Sequence, residues 1–258
     1  MISVKLRRKG GNRNKIVLIS LGVMYMLAIA VFAWFGVQNI QYRTRFAKYR
    51  QDVSVAVAAA PEVFKQFKEA PDVTAHAAAL ESLSATISQK IKEAPPVPNL
   101  AGLSLGTDGE RAKLSRIQFA ADAFTVKLKE EAAFVAYQSQ VAHNLQTLSL
   151  KNAGNHDQIV ALAAEWQRSI EFVKQSVTPV KLSEFSATLM QKMASIQAVV
   201  LQLAELYKAD DEAGFIAKQK ELTAAVAGLK PLGEQITAAS SALDAELAKA
   251  FATLRQNL

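Results

Sequence analysis

The sequence predicts an all-α protein: one N-terminal transmembrane helix followed by an elongated antiparallel helical bundle of about four long, proline-kinked helices. Three observations predict it. An uncharged apolar run, Ile16 to Val37, is long enough to cross a bilayer. Beyond it, apolar residues recur at steps of three and four almost to Leu258. Only 7 Pro and 11 Gly punctuate the 258 residues, which leaves few places for the chain to turn.

Residues 1–15 form a short basic tail carrying Lys5, Arg7, Arg8, Lys9, Arg13 and Lys15. The run 16–37 follows, with Ser20 and Tyr25 as its polar interruptions. At 1.5 Å per residue it reaches about 33 Å, against a hydrocarbon core of roughly 30 Å. An N-terminal signal peptide is the competing reading, with Ala28-Ile29-Ala30 as a formal cleavage site. The apolar run continues well past Ala30, however, and exceeds a signal peptide's h-region of roughly 7–15 residues. An uncleaved anchor therefore fits better. The Arg7-Arg8 pair lacks the apolar residues that should follow a twin-arginine export signal.

The net charge of +7 is a local property. Residues 1–50 hold ten Lys or Arg and no acid, so the rest of the chain is slightly acidic. Nucleic-acid binding would call for positive charge spread over a folded face, and no nucleic-acid partner is expected. The cations instead flank the apolar run. Arg7, Arg8, Lys9, Arg13 and Lys15 precede it, and Arg43, Arg45, Lys48 and Arg50 follow it, with Trp34 and Tyr42 at the distal headgroup level. These residues form the expected membrane-interface set. The larger basic cluster comes first, which predicts a cytoplasmic N-terminus and an extracytoplasmic body over 38–258 in the cell membrane.

Within the body, Tyr42, Phe46, Tyr49, Val53 and Val57 continue the anchor as an amphipathic helix, and Val73, Leu80, Leu83, Ile87 and Ile91 resume the stripe. Residues 94–109, rich in Pro and Gly, form a loop. Thr107 to Glu110 has capping-box spacing and starts a long helix with the stripe Leu114, Ile117, Ala121, Phe124, Leu128, Val135, Ala142 and Leu145. A turn at 152–155 leads to Ile159, Leu162, Trp166, Ile170, Val173 and Val177. Ser183 is the expected N-cap for Phe185, Leu189, Ile196, Val200 and Leu203. A turn at 209–214 precedes the last arm, from Phe215 to Leu254.

Read with Pro61, Pro71, Pro179 and Pro231 as kinks, four arms appear, near 41–93, 108–151, 157–208 and 211–257, and the C-terminus returns toward the bilayer. Read as corners, the same prolines give a stubbier bundle with more helices. The segment 84–91 echoes 186–193 at a fixed offset, the mark a doubled hairpin would leave.

Chemistry is sparse. Without Cys there is no disulfide, thiolate ligand or cysteine nucleophile. Gly102-Leu-Ser104-Leu-Gly106 matches the nucleophile-elbow spacing but lacks the strand-turn-helix that makes such a serine reactive. His76 falls on an apolar helical face, and His143 and His156 bracket a turn. No grouping supplies a metal site, and Asp210-Asp211-Glu212 lacks the alternating ligands of a calcium loop. No enzymatic activity and no cofactor are expected.

In overall plan the chain resembles the exported four-helix sensor domains of chemoreceptors. It departs from them after Leu243, where Asp244, Glu246, Lys249 and Arg255 make the last helix amphipathic rather than a second span. The expectation is a single-pass anchored interaction or scaffold module of the cell envelope, with the bilayer and an envelope protein as partners. The alternative is a sensing subunit that binds a small molecule between helices and signals through a membrane partner. Apolar neighbours such as Val199, Val200 and Leu201 suggest a second contact face, which makes a further copy of the chain one candidate partner.

Overall fold

A computed structural model describes residues 11–69, 72–98, 107–147 and 155–258. Of these residues 91% are helical, and no strand occurs among them. The helices are α1 (Gly11–Ala58), α2 (Ala60–Glu69), α3 (Val73–Lys92), α4 (Asp108–Thr147), α5 (His156–Gln175), α6 (Ser183–Lys208), α7 (Glu212–Ala227) and α8 (Lys230–Asn257). A 3-10 turn, Val180–Leu182, precedes α6.

The expected helix starts are met, though not always by the expected caps. Asp72 accepts from the amides of Thr74 and Ala75 ahead of α3, Asn155 from Gln158 ahead of α5, and Asp211 from Gly214 ahead of α7. At α4 the Thr107 carbonyl takes the Arg111 amide at 2.8 Å, while its hydroxyl is buried without a partner, so the capping box is not closed. Ser183 is the first residue of α6 and bonds back to the Val180 carbonyl at 2.9 Å instead of capping forward. Asp210, with φ 56°, takes the left-handed conformation that ends the α6 turn and sends the chain into α7.

The predicted stripes are for the most part the buried ones; Val177, expected on the α5 stripe, lies past the end of that helix and is 88% exposed. Tyr42, Phe46, Tyr49, Val53 and Val57 all lie inside, as do Leu80, Leu83, Ile87 and Ile91. On α4 the exceptions are local: Val141 is buried and Ala142 exposed. The stripes assemble into two hydrophobic layers. The lower layer joins α1 (42–57), α3 (80–91), the first half of α4 (114–132) and the end of α8 (247–254). The upper layer joins the second half of α4 (134–141), α5, α6, Leu222 of α7 and the start of α8 (232–243). Each fully buried Leu or Phe contributes about 1.5–3 kcal/mol through removal from water.

Contacts between named residues give the helix directions. On α4 and α8, Phe124 meets Phe251 (ring centroids 5.5 Å apart) and Lys127 meets Glu246 (2.9 Å), so these helices run antiparallel. Arg43 pairs with Glu110 at 3.3 Å, and higher up Tyr49 senses Asp122, so α1 and α4 rise side by side. Thr178 approaches Ser186 and Gln167 bonds Gln197, which makes α5 and α6 an antiparallel hairpin that reverses beside Pro179. The segment between α1 and α3 also doubles back, because α3 packs against α1 with Lys90 facing Asp52. The arm 41–93 is therefore not one kinked rod. Pro231 falls in the first turn of α8, where its missing N–H costs nothing.

The run 16–37 lies within α1, the one helix among the described residues that is long and apolar enough to cross a membrane. Apart from Phe35, which is buried, its described side chains are mostly exposed: Met24 is 70% exposed and Phe32 65%. A buried core helix would hide such side chains.

Because α4 and α8 pass through both layers, damage to one layer should be felt in the other. Phe124→Ala, in the lower layer, should cost about 3–5 kcal/mol. In a Trp34→Phe background, the denaturation midpoint reported by Trp166 fluorescence should fall although Trp166 belongs to the upper layer. An unchanged Trp166 midpoint would show that the layers unfold separately.

Candidate functional site: the base and the waist of the helical body

Two regions gather charged side chains. The first is the base, where the predicted interface residues lie. Arg7, Arg8 and Lys9 are outside the described residues, and Arg13 and Lys15 fall in the first turns of α1. Trp34 is exposed. Tyr42 is not at an open surface: only 2% exposed, its ring stacks on Phe46 at 6.1 Å with the hydroxyl buried. Burial raises its pKa, the nearby Glu110 raises it further and Arg111 lowers it. Seven residues on, burial and then Asp122 push Tyr49 up to about 12.

The basic residues after the apolar run divide by helix face. Arg43 turns toward α4 and pairs with Glu110. Arg50 turns toward α8, and its Nη2 donates to the Leu258 carbonyl oxygen, fixing the end of α8 beside α1. Arg45 and Lys48 are exposed.

The second region is the waist, where the lower layer gives way to the upper. Lys127 of α4 bonds Glu130 at 2.8 Å and Glu246 of α8 at 2.9 Å, and Lys181 of the 3-10 turn joins both carboxylates. The Lys127 hydrogen bond, then that of Lys181, holds the Glu246 carboxyl down at about 2. The hydrogen bonds to Glu130 and Glu246 raise the Lys127 pKa. This exposed network ties the α5–α6 corner to the α4–α8 pair.

Beside it lies Glu131, a carboxyl inside the body. It is 5% exposed and its Oε2 is buried without a hydrogen-bond partner. Burial, with a smaller contribution from Asp244, pushes its pKa up to about 7. His76 of α3 is also buried. Desolvation lowers its pKa, and Asp244 acts in the opposite direction. The expectation of a buried His76 on an apolar face is met. Glu131 was not singled out by the sequence reading, although its position gives it away: three residues after Leu128 and four before Val135, it occupies a stripe position.

Other sequence features contribute less. Ser104 and its flanking glycines lie outside the described residues. The His156 ring contacts Asp157 at 3.3 Å at the exposed start of α5. Among the described residues no group of three His, Cys, Asp or Glu could hold a metal. The concavities are open grooves, such as one of about 300 Å³ at the α6–α7 turn between Tyr207 and Phe215 and one of about 600 Å³ along α3 beside Lys129. Val199 and Val200 both face the core, and only Leu201 of that trio is exposed, so they do not form an outer contact face. No protein-family model, curated protein or solved structure matches the chain.

Glu131 has a measurable signature. Its native pKa lies above that of the unfolded chain, so between about pH 4.5 and 7 the folded state keeps a proton that the unfolded state releases. Stability should therefore decline as pH rises through this window, by up to about 1.4 kcal/mol per pH unit, and level off above it. Glu131→Gln should flatten that slope in urea denaturation followed from pH 4.5 to 8. An unaltered slope would place the titration elsewhere.

Proposed function

We propose that the chain is a single-pass, membrane-anchored protein whose body is an extracytoplasmic helical bundle serving as an interaction or structural module of the cell envelope. The observation that carries this reading is the continuity of α1. One helix bears mostly exposed apolar side chains over its described lower part, Phe35 excepted, and then, from Tyr42 to Val57, supplies the stripe that seeds the lower hydrophobic layer. A side chain such as Phe32, expensive to leave in water, is at home in lipid. The handover from lipid-like exposure to protein core within one rigid element supports an anchor joined to its body without a flexible linker.

The larger positive charge before the apolar run supports a cytoplasmic N-terminus. The antiparallel α4–α8 pair, with Leu258 beside Arg50, supports a body that extends away from the bilayer and returns its C-terminal end toward it. Open grooves and charged, helical outer faces favour contact with a protein over enclosure of a small molecule.

The full chain should resist alkaline carbonate extraction, and protease added to intact cells should remove the body and spare the tail. Leu27→Arg with Ile29→Arg should abolish retention, since each arginine costs roughly 2.5–3.5 kcal/mol at mid-span. Recovery of the wild-type chain in the carbonate-soluble fraction would sink the anchor. Crosslinking in the native membrane tests the scaffold role, for which a protein partner captured with the body is the expected result.

A further inference from the structure

We infer that the base of the body carries a composite cationic collar, built from α1 and the start of α4, that binds the anionic phosphate headgroups of the bilayer. This inference rests on the anchored reading and extends it to residues far from the span in sequence. The Arg43–Glu110 pair fixes the level: α4 begins beside the first turns of α1 above the apolar run, and the two helices rise together. Arg111, Lys113 and Arg116 are thereby carried to the height of Arg45 and Lys48. All five are exposed. None has a carboxylate at ion-pair distance among the described residues, whereas Arg43 and Arg50, also at this level, already engage Glu110 and Leu258.

Distance and charge both favour the membrane. Arg45 and Lys48 stand eight and eleven residues beyond Val37, about 12 and 16 Å along the helix, and Lys and Arg stems can bend back toward the interface. The headgroup zone itself takes up roughly 5–7 Å of that height, and the remainder is close to the Debye length of roughly 8 Å, so the surface potential of anionic lipid still reaches them in part. The acids at this level are Glu110, which Arg43 takes, Glu93 and Asp52, which share Lys90, and Asp108 in the first turn of α4; Asp122 lies above them beside Tyr49. The connection from α3 to α4 adds no charge between Glu93 and Asp108. The five cations are divided between α1 and α4, so they spread positive charge over two helices at the base rather than gather it in one pocket. Such a spread suits a field of headgroups around an upright stalk.

The test uses the full chain in phosphatidylcholine vesicles containing a minority of phosphatidylglycerol. After mild detergent extraction, the lipids retained by the protein are counted by native mass spectrometry. Phosphatidylglycerol should be enriched about fivefold over its bulk ratio, the factor corresponding to one cation's interaction at a membrane surface. Arg111→Gln, Lys113→Gln and Arg116→Gln together should remove at least half of that enrichment. Arg45→Gln with Lys48→Gln should do the same. Glutamine keeps helix propensity at these exposed sites, so circular dichroism should stay unchanged. Full enrichment in the α4 triple variant would overturn the collar and leave α1 alone at the headgroups. Inorganic phosphate that competes better than chloride at equal ionic strength would also overturn it, by revealing a discrete phosphate pocket. Failure of the chain to stay in the vesicles would remove anchor and collar together, whereas an anchored chain without enrichment would refute the collar alone.

Discussion

The structure depends on the antiparallel pairing of α4 and α8. Helix α4 spans 40 residues, about 60 Å, and its apolar stripe is buried first in the lower layer and then in the upper one. Helix α8 descends along it through both. Neither layer is complete without these two helices. The remaining helices add to one layer each or, like α3, reach the second only at an end: Ala77 belongs to the upper layer and Leu80 to the lower. The body is thus two helical layers strung on a common pair, with α1 entering from below and the α5–α6 hairpin mounted above.

The waist is where this arrangement is least apolar. The Lys127–Glu130–Lys181–Glu246 network closes it outside, and Glu131 and His76 lie inside beneath the influence of Asp244. Exposed ion pairs of this kind contribute little energy. Their value is positional, since Lys181 holds the α5–α6 corner against both helices of the central pair. A buried carboxyl without a hydrogen-bond partner costs stability unless it stays protonated, and this makes the waist the most pH-sensitive point among the described groups. The buried Glu131 and His76 thus lie where the body's two cores meet, while other buried polar groups, such as Tyr42, Tyr49 and Thr107, lie toward the base.

Much of this was legible in the sequence because helical periodicity is a local property. The stripes of α1, α3, α4, α6 and α8 were assigned nearly residue by residue, and burial follows them. Helix starts at Asp108, near Asn155 and near Asp211 were readable from capping residues. The exact caps were less so: Thr107 and Ser183 fail to cap forward, because a hydroxyl bonds whichever carbonyl or amide the surrounding packing brings near. Tyr42 was assigned to the interface from its distance to the apolar run, but a tyrosine on the buried stripe packs where the stripe packs. Val199 and Val200 looked like surplus apolar surface until α5 and α7 were placed on either side of α6.

What the sequence determined on its own is the all-helical class, the single span-length apolar run and the identity of the core-facing residues, since each follows from composition within a few helical turns. Tertiary structure alone decided which stripes share a core, that the chain reverses between α1 and α3 and again beside Pro179, that Glu131 lies beneath Asp244, and that the start of α4 stands beside Arg43. Those are contacts between residues tens to more than a hundred positions apart. No local pattern encodes them, because a proline fixes only its own φ and removes one donor, and whether the chain then bends or turns back depends on the helix available to receive it.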